Sequence, residues 1–240
     1  MEEKTGVTCN FSGHLGNHLY QYVYSRLIAE EKNRPFKFKS DYIISTFKQA
    51  RMLMGYADSY ETVRDGYPFY QGKNQLDLIN NSIEKIREWL IPSDFGKTVL
   101  SELGFPPVVN VRGGDFKHIG RLIHGDYYKT CRQFLSKPPI VVTDDVEYAG
   151  SIVKNAEKIL HTDDDFSILF HSKELICSNS TYCWWAAFLG KHDLLFSPRL
   201  EWVSNNSANA VEPFRRSLAP FTWAQNSINW KSFLRNGLIV

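Results

Sequence analysis

Four short apolar runs in the second half of the chain do most to limit the folds that it can adopt. Each is rich in β-branched or aliphatic residues and ends in polar or turn residues, as strands of a parallel sheet do. The runs are PPVVNVRGGD (106–115), PPIVVTDD (138–145), KELICSNST (173–181) and HDLLFSPRL (192–200), and helix-like segments at 125–136, 147–160 and 181–190 separate them. This β-α-β-α-β-α-β order predicts an α/β fold whose parallel sheet is covered on both faces.

Polar clusters follow these runs at the predicted carboxyl ends of the strands. In open α/β sheets, ligands bind beyond the carboxyl ends. The sequence therefore predicts a binding site at this edge of the sheet.

The start of the chain shows a less regular pattern that is also typical of a β-α-β unit. We expect a strand near 7–11, a turn that contains glycine, a helix from about 17 to 32 and a strand near 36–39.

The middle of the chain indicates a domain boundary. Helices are predicted near 77–90 and 95–103, before the break at Pro106 and Pro107. We therefore predict a first Rossmann-like domain over residues 1–105 and a second domain over residues 106–240.

Composition and charge exclude several classes of function. The formal net charge is +2 and the Lys and Arg residues are scattered, so no nucleic-acid surface is predicted. The N-terminal MEEKTGVTC has no apolar signal core, and no stretch reaches the ~18 apolar residues of a membrane-spanning helix. The four cysteines form no C-x-x-C pair and are expected to stay reduced. We expect a soluble, cytoplasmic protein without a transmembrane segment.

Two of the polar clusters suit an anion. Arg112 stands at a predicted strand end before two glycines, so a guanidinium and open backbone could approach a phosphate together, although arginines at strand ends are also common on surfaces. The SNST cluster at 178–181 stands where a strand passes into a helix. Its backbone N–H groups could bind an anion at the positive end of that helix, or the residues could simply cap it.

Two acidic clusters leave several interpretations open. Asp144 and Asp145 end the second strand, and residues 163–165 are a run of three aspartates. Such carboxylates accept hydrogen bonds from a nucleotide base, bind a cation or begin a helix.

Four segments form an ordered series along the chain. They are GHLGNHL (13–19), NVRGGDF (110–116), VVTDD (141–145) and the long segment 165–189 with its NSTYCWWAAFL core. Together they resemble the family 11 glycosyltransferases, the α-1,2-fucosyltransferases, and more distantly the α-1,6- and protein O-fucosyltransferases. Three positions depart from the family pattern, with His18 in place of Gln, Asn110 in place of His and Gly113 in place of Arg.

The resemblance implies a GT-B fold, in which two Rossmann-like domains face each other and the second binds the donor. It implies inverting transfer of L-fucose from GDP-fucose to a hydroxyl of an acceptor glycan, the 2-hydroxyl, without a metal or a cofactor. A final helix near 224–235 is expected to cross back to the first domain. Another nucleotide-deoxysugar donor is an alternative.

The resemblance also assigns donor-binding residues. They are Gly13, Gly16, Asn17, Asn110, Arg112, Asp145, Asp165, Asn179, Ser180 and Thr181. Arg112 and the helix start at 180–181 are expected to stabilise the charge that gathers on the departing diphosphate. Asp165 is expected to accept hydrogen bonds from guanine N1–H and N2–H. The 13–17 turn is expected to approach the diphosphate or the sugar across an interdomain cleft.

The general base and the reaction class are left open. Asp115 is our first candidate for the base, before Asp126 and His124. A metal-dependent transferase would instead bind a cation and a uridine donor through the D-x-D run at 163–165. A catalytically silent protein that binds a nucleotide sugar or a glycan could keep the fold after losing the histidine at position 110.

Overall fold

The computed structural model describes residues 5–55, 59–64, 73–198 and 203–204. The chain forms two compact units, Met1–Ser93 and Asp94–Val240. The helices are α1 (Leu15–Glu31), α2 (Asp41–Thr46), α3 (Lys73–Asn81), α4 (Ile83–Trp89), α5 (Phe95–Glu102), α6 (Gly125–Arg132), α7 (Val146–Ile152), α8 (Asp165–His171) and α9 (Thr181–Leu189). The strands are β1 (Gly6–Thr8), β2 (Tyr60–Thr62), β3 (Val108–Val111), β4 (Leu122–Ile123), β5 (Ile140–Thr143), β6 (Lys158–Leu160), β7 (Glu174–Ile176), β8 (Leu194–Phe196) and β9 (Val203–Ser204).

A five-stranded parallel sheet forms the centre of the second unit. Its strands lie in the order β6-β5-β3-β7-β8, and each neighbouring pair is parallel. When only the strands of this sheet are counted along the chain, the order is 3-2-1-4-5, as in the first five strands of the Rossmann fold. The prediction of an α/β fold with a parallel sheet is confirmed.

The sheet is packed on helices, and one of these, α8, also packs on the buried helix α9. Val109, Val111 and Val141 lie in one core with residues of α6 and α7, while α8 contacts β3 and β5. α9 is buried from its third residue to its end, as expected for a helix that is apolar nearly all round. Its first two residues, Thr181 and Tyr182, are half-buried.

The sequence does not predict β6 or α8. The helix predicted over 147–160 is a shorter helix, α7, followed by the edge strand β6. Asn155 adopts a φ of 59° between them, a left-handed conformation that a right-handed helix cannot continue through. α8 then connects β6 to β7, so the second unit contains one more β-α step than the sequence indicates.

The first unit is built around α1. β1 precedes this helix and pairs in parallel with β2. The strand predicted at 36–39 is reduced to isolated bridges, between Val7 and Phe36 and between Phe38 and Met54. The single helix predicted near 77–90 is divided into α3 and α4.

The boundary between the units lies before Asp94 rather than after residue 105. The reason is α5, which packs on α8. Gly96 permits this approach, because a Cβ there would overlap the backbone of Ser167 and Ile168. The Gly96 N–H also donates to Ser167 Oγ at 2.8 Å. A helix that the sequence assigns to the first domain therefore packs within the second unit.

The final helix predicted near 224–235 lies outside the described residues. None of the helices in the described ranges combines the length and the apolar character needed to span a bilayer.

Candidate functional site

The strand order of the second unit reverses at β3. β5 and β6 lie on one side of this strand, and β7 and β8 lie on the other. Crevices at the carboxyl ends of strands at such a point are where open α/β sheets bind ligands. β3 ends at Val111 and β7 ends at Ile176. Arg112 and the 177–180 loop therefore begin at the two rims of this crevice, as the sequence predicts.

Arg112 lies between two carboxylates. Its Nη2 is 2.8 Å from Asp115 Oδ1, and its Nη1 is 2.7 Å from Asp144 Oδ2. The Phe116 ring centre lies 5.4 Å from the guanidinium carbon. The Arg112 Nε–H is covered and has no hydrogen-bond partner among the described residues. A covered donor without an acceptor is costly to the folded protein, and a phosphate oxygen would satisfy it.

Gly113 and Gly114 let the two aspartates after β5 lie against the Arg112 loop. Asp144 Oδ1 accepts from the Gly113 N–H at 2.8 Å. A Cβ at Gly114 would overlap Asp144 Oδ2, and a Cβ at Gly113 would lie 2.5 Å from the Asp145 Cβ. An arginine at position 113 would not fit here while Asp145 holds this place. Contact with the aspartates is what requires the two glycines.

Asp145, assigned to the donor by resemblance, caps α7 and pairs with a lysine. Its Oδ1 accepts from the Tyr148 N–H at 2.9 Å, and its Oδ2 contacts Lys117 Nζ. The hydrogen bond from Lys117, followed by that from Tyr148, lowers the pKa of the Asp145 carboxyl. Lys117 is a second cation in this loop, and sequence reasoning missed it because it lies just beyond the recognised motif.

Asn110 ties the loop after β7 to the centre of the sheet. The residue is buried. Its Nδ2 donates to the Val142 carbonyl at 3.2 Å, and its Oδ1 accepts from Ser178 Oγ at 2.5 Å. Both ends of the Asn110 amide are thus engaged within the protein.

Ser180 and Thr181 begin α9 at the other rim. Ser180 Oγ accepts from the Tyr182 N–H at 3.2 Å, so the capping interpretation holds for this residue. Asn179 Nδ2 donates to the Arg121 carbonyl at 2.9 Å. Its Oδ1 is buried and has no hydrogen-bond partner in the described parts of the chain, which leaves one acceptor available beside the helix start.

Asp165 is the first residue of α8, beyond the carboxyl end of β6. Its Oδ1 accepts from the N–H and the Oγ1 of Thr162 at 2.9 and 2.8 Å, and its Oδ2 lies 3.9 Å from His161 Nδ1. The side chain is only 13% exposed. Burial raises the pKa of Asp165 to about 6, against the opposing effect of the two hydrogen bonds.

Asp165→Asn is expected to alter how stability depends on pH. Because the folded pKa of Asp165 lies above the ordinary value, the folded state binds more protons. Proton binding at Asp165 therefore stabilises the folded state by roughly 2 to 3 kcal/mol relative to high pH. This stabilisation is complete below about pH 4 and is lost as the pH rises through 6. The free energy of unfolding of the variant, relative to the unchanged protein, should rise by that amount between pH 4 and pH 7.

The difference in the free energy of unfolding between the variant and the unchanged protein reports the contribution of Asp165 alone. Burial lowers the pKa of His18 and that of His192, the latter to about 4, and these groups act with the opposite sign over the same range. Urea denaturation at a series of pH values measures the difference. Asp163→Asn, at an exposed neighbouring carboxylate, is the control. A difference that stays constant with pH would show that Asp165 titrates normally.

The three candidate bases lie in two places. His124 caps α6, since its Nδ1 accepts from the Asp126 N–H at 3.3 Å, and the same atom lies 3.2 Å from Asp126 Oδ2. These two side chains are 61% and 64% exposed. Asp115 is 50% exposed and is paired with Arg112. Of the three, Asp115 is the one that the structure brings into contact with Arg112.

The glycine turn of the first unit is held by contacts within that unit. Gly13 has a φ of 86°, which favours glycine, and a Cβ there would overlap the Asn17 amide. Gln21 holds the turn, because its Oε1 accepts from the Ser12 N–H at 3.0 Å and its Nε2 donates to the Ser12 carbonyl at 3.3 Å. Gly16 is buried in α1. The donor-binding role of Gly13, Gly16 and Asn17 stays a prediction.

The D-x-D run is taken up by local structure. Asp164 caps α8 by accepting from the Ser167 N–H at 3.3 Å, and Asp165 is held by Thr162. Across the described residues, no group of three or more His, Cys, Asp or Glu side chains is placed to hold a metal ion.

No protein-family model matches the chain, and no curated protein matches it. Among solved structures it is similar to NodZ α-1,6-fucosyltransferase co-crystallised with GDP, with a TM-score of 0.42 and 10% identity over 78% of this chain and 93% of that one. An Arabidopsis thaliana FUT1 mutant in complex with GDP gives 0.47 and 12% identity over 88% and 76%. Thermosulfurimonas dismutans KpsC, a β-Kdo 2,7 transferase, gives 0.31 and 13% identity over 91% and 88%. With all three TM-scores below 0.5, the chemistry of this chain has to be derived from its own site.

Proposed function

We propose that this chain is an inverting glycosyltransferase of the GT-B type that transfers L-fucose from GDP-fucose to a hydroxyl of an acceptor glycan, the 2-hydroxyl, without a metal or cofactor. The observation that carries the proposal is that Arg112 follows β3 and the loop to the start of α9 follows its neighbour β7, at the point where a Rossmann-type sheet reverses its strand order. The ordered series of sequence motifs supports the choice of donor.

The crevice is suited to a diphosphate leaving group. As the glycosidic bond to phosphate breaks, negative charge gathers on the diphosphate, and fixed cations and N–H donors lower the barrier most when they need no rearrangement. Arg112 supplies a fork of N–H donors. α9 supplies the positive end of a helix, and its deeply buried body keeps that end in place.

Asp165 lies where it can recognise the nucleotide base of the donor. β6 lies two strands from β3, which is about 10 Å across the sheet, so a ribose fits between a diphosphate at Arg112 and a base at Asp165. A carboxylate offers the two acceptors that guanine N1–H and N2–H require. With a pKa of about 6, Asp165 is mostly ionised at neutral pH. Its Oδ1 already accepts from Thr162, so Oδ2 is the main acceptor for the guanine edge, and Oδ1 would have to exchange a Thr162 hydrogen bond to take the second N–H.

Asp115 is the proposed general base. An inverting transfer needs an acceptor hydroxyl to lose its proton as it attacks the anomeric carbon from the face opposite the diphosphate. Asp115 is half exposed, so an acceptor can reach it. Asp126 and His124 are the alternatives for this step.

A second candidate function is a silent binding protein for a nucleotide sugar. Asn110 favours this function for two reasons. It stands where the related enzymes have a histidine, and its amide is hydrogen-bonded to Val142 and Ser178. Asn110 cannot contact a donor without breaking these hydrogen bonds. Such a protein would bind GDP-fucose and transfer nothing to any acceptor.

A thermal-shift panel tests the proposal directly. GDP and GDP-fucose, each at about a hundred times their Kd, are expected to stabilise the folded protein by about 3 kcal/mol and raise its Tm by roughly 5 to 10 °C. UDP and UDP-sugars should have much smaller effects, and strong chelation should leave the shifts unchanged. Equal stabilisation by UDP, or a loss of the GDP shift on chelation, would contradict the proposal. Sugar transfer to a glycan array separates the enzyme from the silent binding protein.

A further inference from the structure

The two carboxylates that face Arg112 differ in how firmly they are held. Asp144 is 21% exposed, and its second oxygen accepts from the Gly113 N–H. Asp115 is 50% exposed and lies in a short 3-10 turn over 115–117. Asp144 is therefore fixed by the backbone as well as by Arg112, whereas the ion pair of Asp115 faces solvent.

The two carboxylates also bind different nitrogen atoms of the guanidinium. Asp144 holds Nη1, and Asp115 holds Nη2. Nη2 and Nε point to the same side of the planar group and form the edge that binds a phosphate through two parallel hydrogen bonds. Asp115 satisfies one of these donors, while Nε is covered and lacks a partner among the described residues.

The free energies of these contacts favour replacement of Asp115 by a diphosphate, with Asp144 kept in place. An exposed ion pair contributes only about 0 to 1 kcal/mol, so a diphosphate can displace Asp115 at little cost. The diphosphate also brings more charge than one carboxylate and an oxygen for each donor on this edge. Displacing Asp144 would instead leave the Gly113 N–H without its acceptor.

We propose that Asp115 is a displaceable counter-ion of Arg112, which a diphosphate replaces on the Nε and Nη2 edge while Asp144 keeps the guanidinium in position. This inference rests on the proposed function and adds an order of events to it. Before the donor binds, the guanidinium holds the Asp115 carboxylate in an ion pair. After the donor binds, Asp115 is released beside the reacting sugar and can accept the proton of the acceptor hydroxyl.

Asp115→Asn separates this role from a purely structural one. Removing the competing carboxylate is expected to tighten the binding of GDP and of inorganic pyrophosphate by about two- to fivefold, while sugar transfer falls because the base is lost. A residue that merely supported the loop would weaken binding when changed. Isothermal titration calorimetry at low ionic strength measures both ligands, and circular dichroism checks the fold. Asp115→Ala is a second variant with the same expected gain in affinity.

Glu147→Gln is the control for net charge, because Glu147 is an exposed carboxylate in the first turn of α7. It should change either Kd by less than twofold. The Nε–H signal of Arg112 in a nitrogen-proton correlation spectrum should also shift when pyrophosphate is added. Unchanged or weaker binding by Asp115→Asn, with normal binding by the unchanged protein, overturns the exchange of counter-ions. Failure of the unchanged protein to bind GDP or pyrophosphate overturns the proposed function and this inference together.

Discussion

Arg112→Ala is expected to slow sugar transfer by a hundredfold or more, which is on the order of 3 kcal/mol of transition-state stabilisation. The guanidinium is the fixed cation nearest the proposed position of the departing diphosphate, and alanine leaves that charge without its partner. Stability should change much less than the rate, because the Asp115 pair is half exposed and such a pair contributes about 1 kcal/mol or less, and Asp144 keeps its hydrogen bond from the Gly113 N–H. Initial rates with GDP-fucose and a melting curve measure the two effects.

Arg112→Lys is the matched variant for this experiment. Lysine keeps the positive charge but cannot present two parallel N–H donors. Its rate should therefore fall between those of alanine and arginine. Normal transfer by the alanine variant would show that Arg112 does not act on the leaving group.

Gly96→Ala is expected to destabilise the second unit by about 2 to 3 kcal/mol. The new methyl group would overlap the backbone of Ser167 and Ile168, and backbone cannot move aside as the end of a flexible side chain can. α5 would have to withdraw from α8 and lose the hydrogen bond from the Gly96 N–H to Ser167 Oγ. The Tm should fall by roughly 5 to 10 °C.

Gly150→Ala is the control, since it places the same methyl group in another helix. A Cβ at Gly150 would meet Ile159 Cδ1 at 3.5 Å, an ordinary contact. Alanine is a better helix former than glycine by about 1 kcal/mol, so this variant should be as stable as the unchanged protein or more stable. If both variants lost stability equally, the close packing of α5 on α8 would not be the cause.

The sequence predicts those strands of the sheet that contain an unbroken run of apolar residues. β3, β5, β7 and β8 each contain such a run, because a strand buried on both faces of a parallel sheet needs apolar residues in succession. β6 lies at the edge, and its three residues are exposed or half-buried. Its sequence KIL follows a helical pattern without a break in hydrophobicity, whereas the backbone leaves the helix at Val153 and turns at the left-handed Asn155.

The candidate site could be predicted as far as its position along the chain. Arg112 and the 178–181 cluster follow buried strands, and topology brings the ends of neighbouring strands together. The pairing of Arg112 with Asp144 could not be predicted, because it depends on where two loops turn after their strands. Sequence reasoning attributes Gly113 and Gly114 to ligand access, whereas the structure requires them for contact with Asp144 and Asp145.

The position of β3 has a consequence for synthesis of the chain. This strand is central, yet one of its partners, β7, pairs with it through Leu175 and Ile176, more than sixty residues later. While the ribosome is still making that segment, one side of β3 has unpaired N–H and C=O groups, which attract strands of other chains. Growing chains that end before Ile176 should therefore aggregate more readily than longer ones, and a chaperone would protect them at this stage.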